Sequence, residues 1–296
     1  MQGLLLINKP EGITSFKAVS VIRRLTNTKK IGHTGTLDPL ATGVLPILLG
    51  RATCLCDYLL TSDKRYTATV KAGVVTDTLD ITGNVIKESL PDFSEAQLKA
   101  AIEHFTGDIT QYPPVFSAIK KDGVPLYKLA RQGKEVEVEP RQVTIHSIKL
   151  LSFNEKEHTF KIDVLCSKGT YIRSLCRDIG EFLGCGATMT ELTRTKTGDF
   201  SIEQCVGLDD LTEENISSYL LSEELAVSHF SELFISEKQA VRFSNGGKLS
   251  FDRVKGDITD NACYRIKYND TFIGIGYADG ENKEIRVKCL VNQIGQ

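Results

Sequence analysis

The sequence predicts an α+β fold, because strand and helix signals follow one another irregularly and no βαβ unit recurs. Two observations weigh most. From Arg65 to Val74 the residues alternate, with Tyr66, Ala68, Val70, Ala72 and Val74 on one face and Arg65, Thr67, Thr69 and Lys71 on the other, which is the pattern of a half-buried strand. Ser94-Glu95-Ala96-Gln97 and Ser236-Glu237-Lys238-Gln239 are capping-box sequences, each opening a helix. The sheet expected is mixed and largely antiparallel, flanked by helices.

Taken in order, Leu4 to Ile7 reads as a short buried strand. Ser15 can cap a helix that turns Phe16, Val19, Ile22 and Leu25 inward and Lys17, Arg23 and Arg24 outward. Lys29-Lys30 leads into a glycine-rich loop, Val44 to Leu49 is a second buried strand, and Ala52 to Leu60 is helix-like. The Ser94 helix runs through Leu98, Ala101, Ile102 and Phe105, with Gly107 just past its end. Phe160, Ile162, Val164 and Cys166 alternate into the turn Ser167-Lys168-Gly169-Thr170, and Ile172, Leu175, Ile179 and Leu183 then mark a helix ending at Gly184. Tyr171 and Arg173 therefore sit where strand gives way to helix.

Between Leu208 and Leu225 the chain carries six acids and no base, an exposed connector leaving the main domain, with a boundary near 230. Beyond it the Ser236 helix ends at Asn245-Gly246-Gly247. Strands at Arg265 to Tyr268, Phe272 to Ala278 and Glu284 to Val291, separated by Asn269-Asp270 and Asp279-Gly280, fit a small β-barrel. The division expected is 1–230 and 231–296.

With 296 residues, 41% hydrophobic and 25% charged, the chain can bury a core, which excludes a disordered or fibrous protein. No apolar run nears the roughly 18 residues of a membrane span, and the chain opens on a strand rather than a basic leader, so a cytoplasmic protein is expected. The eight cysteines form no Cys-x-x-Cys pair and the five histidines are scattered, so no metal site is expected and the cysteines read as reduced, mostly buried small hydrophobes. The net charge of −2 is uneven: residues 1–65 hold nine Lys or Arg against four acids, while residues 201–296 hold ten against sixteen. A basic first quarter could steer a polyanion, although charge alone favours a solvated helix face.

The loop from Gly32 to Pro46 holds one acid, Asp38. Gly32, Gly35 and Gly43 permit backbone angles closed to other residues, and Pro39 biases Asp38 toward an extended conformation, so the main chain aims the carboxylate. That is how a nucleophile is presented. Taken alone, the segment also fits an aspartate capping an Asp-Pro turn.

The run Gly32-His33-Thr34-Gly35-Thr36-Leu37-Asp38-Pro39-Leu40-Ala41-Thr42-Gly43 closely resembles the catalytic motif of the TruB family of bacterial tRNA pseudouridine synthases. Further blocks match in family order: Leu4 to Gly12 with Thr14-Ser15, Asp63-Lys64-Arg65-Tyr66, Gly73 with Thr76 to Asp80 and Gly83, Gln111 with Pro113-Pro114 and Ser117-Ala118, Tyr127 to Gly133, Cys166 to Arg173, and Gly184 to Ala187. The resemblance covers nearly the whole chain, and is weaker over the C-terminal part, which is similar to the family's PUA module. It implies a pseudouridine-synthase catalytic domain and an isomerase acting on uridine 55 in the tRNA T loop by base flipping, without cofactor or metal, as a monomer with no obligate protein partner.

The resemblance implies that Asp38 is the nucleophile and that Arg173 pairs with it. Tyr66 stacks on the flipped base and matches a proposed proton acceptor, Tyr171 is a second aromatic of the pocket, His33 contacts substrate near the displaced base, and Leu192 touches the nucleotide. From the residues alone, Tyr66 and Tyr171 also read as core, His33 as a surface or structural residue, and Arg173 as a solvent-exposed cation at a helix start. The helix dipole disfavours a cation there, which points to a specific partner for Arg173. One departure stands out: Thr193-Arg194 replaces the paired arginines of many relatives, and is expected to weaken an RNA or backbone contact.

Three rivals remain. Gly32-His33-Thr34-Gly35-Thr36 is superficially similar to the His-x-Gly-His element of nucleotidyl transferases, but Thr36 replaces the second histidine and no Gly-x-x-x-x-Gly-Lys-Ser/Thr loop is present. A tRNA-binding or remodelling protein without catalysis would use the same basic face but has no need of a carboxylate facing phosphates. The guide-RNA-dependent synthases of archaea and eukaryotes are related, and this chain's substrate-loop insertions speak against them.

Overall fold

Leu4, Leu5, Leu6 and Ile7 are each at most 2% exposed, as a continuous apolar run covered on both faces requires. They form strand β1 (Gly3–Lys9), followed by α1 (Ser15–Thr26), β2 (Ile31–His33), β3 (Thr42–Leu49), a 3-10 stretch Gly50–Leu55, α2 (Cys56–Leu60) and β4 (Lys64–Ala72). A hairpin of β5 (Val74–Thr76) and β6 (Val85–Glu88) leads to α3 (Glu95–His104) and β7 (Gly107–Gln111). Then come the short pair β8 (Lys120–Lys121) and β9 (Val124–Pro125), α4 (Leu126–Arg131), β10 (Arg141–Asn154), β11 (Thr159–Cys166), α5 (Ile172–Phe182), β12 (Ala187–Thr197), β13 (Phe200–Ser201) and β14 (Val206–Gly207). This computed structural model describes residues 1–121, 123–132 and 138–294, apart from the Arg131 side chain. Gly133, which ends the block beginning at Tyr127, lies outside the described residues.

The principal sheet has the order β14-β1-β3-β12-β4-β11-β10-β7, with β2 on β3 and β13 on β12. Its pairs are antiparallel except β1 with β14 and β3 with β12, the mixed and largely antiparallel sheet that the sequence predicts. The parallel β3–β12 contact, Thr42 beside Thr193 and Gly43 beside Arg194, anchors the Asp38 loop where β3 begins. On β4 the buried face is Lys64, Ala68, Val70 and Ala72, and the strand ends because Gly73 takes φ +83°.

Both capping boxes are present, at Ser94 with Gln97 and at Ser236 with Gln239. The first helix differs from expectation by one residue. Thr14, not Ser15, is its cap, accepting from the Lys17 amide at 3.0 Å. Ser15 turns inward, the buried stripe becomes Ser15, Ala18, Val19 and Ile22, and Phe16 falls outside it at 68% exposed. Ala52 to Leu60 is likewise split into the 3-10 stretch and α2.

The acidic connector is a chain of 3-10 turns whose outer side is exposed. Leu208, Leu211 and Ile216 anchor it in the main core, and Leu221 exchanges backbone hydrogen bonds with Leu4. After it come β15 (Glu232–Phe234), α6 (Glu237–Ser244), β16 (Leu249–Ser250), β17 (Cys263–Tyr268), β18 (Thr271–Asp279) and β19 (Glu284–Leu290). These strands form a five-stranded sheet in the order β15-β17-β18-β19-β16, curled by register shifts at Ile266/Lys267 and Ile275/Gly276.

The two sheets share apolar contacts. Leu4, Leu6, Val44 and Leu48 pack with Phe272, Ile275 and Val291 in one cluster, where each fully buried aliphatic side chain contributes roughly 1.5–3 kcal/mol. The cysteine expectation needs correcting at this junction. Cys54 and Cys289, 235 residues apart, are joined as a disulfide with Cα atoms 6.1 Å apart, because the packing of the two sheets brings the turn after β3 against β19. The other six cysteines are free, and Cys166, Cys176 and Cys185 are buried as expected. Among the described residues no helix is long and apolar enough to cross a membrane, and no group of three or more His, Cys, Asp or Glu could hold a metal ion.

Candidate functional site

The loop that carries Asp38 is fastened on both sides of it. The Thr34 amide donates to Pro46 O at 3.1 Å and the Leu37 amide to Ser15 Oγ at 2.8 Å, while Pro39 O accepts from the Gly12 amide at 2.8 Å and from Lys9 Nζ at 3.3 Å. Arg194 Nη2 donates to Gly35 O at 3.1 Å. Gly35 and Gly43 take φ of +99° and +103°, angles that a side chain rarely tolerates. Among the described residues the Asp38 carboxylate accepts no backbone amide, so it does not cap the Asp-Pro turn. Instead Oδ2 lies 2.9 Å from Arg173 Nε.

Arg173 is the second residue of α5 and only 5% of its side chain is exposed. Nη1 donates to Thr78 O at 2.9 Å and lies 3.4 Å from Asp80 Oδ2, while Nη2 donates to Phe116 O at 3.0 Å. Two carbonyls thus accept hydrogen bonds from one guanidinium and two carboxylates lie within ion-pairing distance of it, an arrangement that its planar, delocalised charge suits. Asp80 is fixed in turn by the Thr78 hydroxyl at 2.9 Å and by the Thr82 amide and hydroxyl at 3.0 and 2.5 Å. Enclosure pushes the Asp38 carboxyl above the ordinary carboxylate range; Arg173 opposes that rise, Asp80 adds to it, and Lys9 opposes it more weakly.

Two cavities meet at this pair. The first, of about 400 Å³, is lined by Asp38, Tyr66, Tyr171, Arg173, Leu192 and Arg194 with Gly35 to Leu37 and Ser117 to Ile119, and falls in the size range of small-molecule sites. The second, of about 630 Å³, shares Asp38, Arg173 and Ser117 and is otherwise lined by Phe16, His33, Asp80 and Tyr127 among others. The accessible 35% of the Asp38 side chain borders these spaces. The structure therefore gathers Asp38, Tyr66, Tyr171, Arg173 and Leu192 around one chamber and sets His33 in the other.

Tyr66 reaches the chamber from β4 and Leu192 from β12, where their neighbours in register are Arg194 and Ala68. Burial pushes the Tyr66 phenol up and Arg194 pulls it back. Tyr171 caps α5 through its main chain, and its phenol is likewise raised by burial, with Arg141 opposing. His33 has a buried Nδ1 with no partner among the described residues, and burial followed by Arg194 lowers its pKa, leaving a neutral imidazole.

Sequence reasoning missed four supports. Asp80 lay in a matched block without a pattern that marked it as buried. Lys9, fully buried, donates to Pro10 O and Ile13 O at 2.8 Å, and burial pulls its pKa down to about 8. Arg194, 1% exposed, donates to Val44 O at 2.7 Å. Gln111, fully buried, accepts from the Tyr171 amide at 2.8 Å and donates to its carbonyl at 3.0 Å. Thr193, expected to weaken an RNA or backbone contact, faces Thr42, with the two hydroxyls 2.9 Å apart.

Two family descriptions match the chain in succession: TruB family pseudouridylate synthase, N-terminal domain, over residues 23–172, and tRNA pseudouridylate synthase B C-terminal domain over 173–227. The tRNA pseudouridine synthase B of Clostridium tetani is 46% identical over 98% of this chain and 100% of that protein. The protein of the same name from Chromobacterium violaceum is 44% identical over 99% of this chain and 96% of its own length. Among solved structures, an H/ACA RNP bound to a substrate RNA containing 2′-deoxyuridine superposes with a TM-score of 0.75 at 25% identity, covering 97% of this chain and 84% of that one. A Cbf5-Nop10-Gar1 complex gives the same TM-score at 27% identity, covering 98% and 84%.

Proposed function

Because this chain belongs to the TruB family of pseudouridylate synthases, we propose that it converts uridine 55 in the T loop of tRNA to pseudouridine, with Asp38 as nucleophile. It is an isomerase. The reaction breaks the bond from ribose C1′ to N1, turns the uracil, and joins C1′ to C5; the proton leaving C5 is balanced by one gained at N1. No electrons or atoms are exchanged with a second substrate.

The observation that carries this reading is the Asp38 carboxylate 2.9 Å from Arg173, bordering a chamber of about 400 Å³ that two tyrosines also line. In the proposal Asp38 captures the substrate covalently, Arg173 keeps it ionised against the pull of burial, Tyr66 stacks on the flipped base and assists removal of the C5 proton, and Tyr171 and Leu192 hold the detached ring. His33, in the second chamber, contacts the RNA beside the displaced base. Residues 1–230 would form the catalytic domain and residues 231–296 a PUA-like module that holds RNA. The enzyme would act in the cytoplasm as a monomer without cofactor, metal or protein partner, reading the shape of the T arm.

A stand-alone tRNA enzyme is favoured over the guide-dependent class because the full-length relatives at 46% and 44% carry the tRNA name, against 25% for the H/ACA RNP and 27% for the Cbf5-Nop10-Gar1 complex. The test is to incubate the protein with an unmodified tRNA transcript, without nucleotide, and map pseudouridine. Asp38→Asn is expected to keep tRNA affinity within severalfold and to yield no product. Equal activity in that variant rejects the assignment, and tight tRNA binding with no product from the native chain favours a remodelling protein.

A further inference from the structure

Arg141 opens β10 directly opposite Gln111 in the β10–β7 register. Through Gln111 that strand pair holds the Tyr171 main chain at both its amide and its carbonyl. Arg141 reaches the same residue from its own side, with its guanidinium carbon 5.7 Å from the centre of the Tyr171 ring. Gly169, whose φ of +81° turns the chain just before Tyr171, lies alongside: a Cβ there would be in ordinary van der Waals contact with Arg141 Nη1, at 3.6 Å.

Tyr171 lines the first chamber and Arg141 does not. Arg141 lines instead a recess of about 230 Å³ with Lys120 and Lys121, which meets the chamber at Ile119. Among the described residues Glu139 is the one carboxylate lining that recess, and none lies within ion-pairing distance of Arg141. A guanidinium placed over an aromatic ring keeps its forked donors free for a second partner. A flipped nucleotide swings about its own backbone, so its base enters a pocket while its phosphates stay at the mouth.

We propose that Arg141, held over the Tyr171 ring, binds a phosphodiester flanking the flipped uridine, so that one aromatic residue couples the base chamber to the backbone grip. This rests on the reading that the chamber receives a uridine. Arg141 is then a substrate-binding residue, while Gln111 positions the ring it leans on. The contact adds affinity and register but takes no part in bond making, so its loss acts on KM and not on kcat. It also contributes about one released counterion, which lowers the salt dependence of binding when it is removed.

The test is a binding and kinetic cycle with T-arm stem-loop RNAs carrying a neutral methylphosphonate in place of the phosphodiester on the 5′ or the 3′ side of the target uridine. Arg141→Gln is expected to raise Kd and KM about tenfold, the scale of one charge-assisted hydrogen-bond contact, with kcat within about threefold. One of the two neutral linkages should weaken the native protein by a similar factor and leave Arg141→Gln nearly unaffected. Arg141→Lys, which keeps the charge but not the planar fork, should fall between. Independent losses at both linkages, or a fall in kcat at constant KM, overturn the proposal. If Arg141→Gln does not fold, Arg141→Lys decides: the neutral linkage should weaken it by less than it weakens the native protein, and an equal loss overturns the proposal. Because coupling is read in binding, it stands apart from turnover: a native protein that makes no pseudouridine refutes the functional reading, whereas absent coupling in an active enzyme refutes only this contact.

Discussion

Arg173 Nε lies 2.9 Å from Asp38 Oδ2, and the other two nitrogens of that guanidinium are committed to the carbonyls of Thr78 and Phe116. The cation is therefore held in place before substrate arrives, and it tells Asp38 where to point as well as supplying charge. Lysine can supply the charge alone. Arg173→Lys is expected to lower kcat at least about 100-fold while tRNA affinity stays within severalfold, because a point cation cannot bridge two carbonyls and two carboxylates at once. Single-turnover pseudouridine formation beside filter binding measures both; an active lysine variant would show that charge alone suffices.

The second carboxylate at this cation supplies a pH test. Burial raises the Asp38 pKa, and the like charge of Asp80 raises it further. The acid limb of kcat, where Asp38 must lose its proton, therefore lies above the usual carboxylate range. Asp80→Asn removes a negative neighbour, stabilises the Asp38 anion, and is expected to move that limb to lower pH. The plateau rate should fall at the same time, since Arg173 loses one of its anchors. A limb that stays in place would mean that it reports some other group.

How much of this was legible follows from how local each feature is. The Asp38 loop, the two capping boxes and the alternating strands at Tyr66 and Phe160 are patterns within about ten residues, and the structure has all of them. The one-residue shift at α1 arose because Thr14 and Ser15 are both good caps, and only the contact of Ser15 with Leu37, 22 residues on, turns Ser15 inward. Lys9, Asp80 and Arg194 carry charge, which ordinarily signals exposure; that each is buried depends on carbonyls and turns brought in from distant segments. The disulfide is the extreme case, since nothing local to Cys54 announces Cys289.

That disulfide ties the turn after β3, the strand that starts at the Asp38 loop, to the last strand of the C-terminal sheet. Closing so long a loop restricts the unfolded chain, and removing the bond is expected to cost about 2–4 kcal/mol. Cys54→Ser, or full reduction of the native chain, should lower the thermal midpoint and detach the C-terminal sheet first, read as faster amide exchange at Phe272 to Ile275. An unchanged midpoint after verified reduction would show that the shared apolar cluster holds the sheets unaided.

Gly43 tests whether the loop is fixed by its backbone. It sits at φ +103°, beside Arg194 in the β3–β12 register, where an added Cβ would lie 2.2 Å from Arg194 O and 2.8 Å from Arg194 N. Gly12 also has a positive φ, +83°, but an added Cβ meets nothing within 4 Å. Gly12→Ala therefore carries only conformational strain, about 1 kcal/mol, whereas Gly43→Ala must also force β12 from β3 and should cost about 3 kcal/mol or more. The damage would spread to chemistry, because Arg194 donates to Val44 O and Gly35 O and so carries any displacement into the Asp38 loop. Urea denaturation of both variants gives the comparison, and kcat should drop in Gly43→Ala under conditions where it is still folded. Equal losses in the two variants would mean that the tight β3–β12 approach does not set the loop.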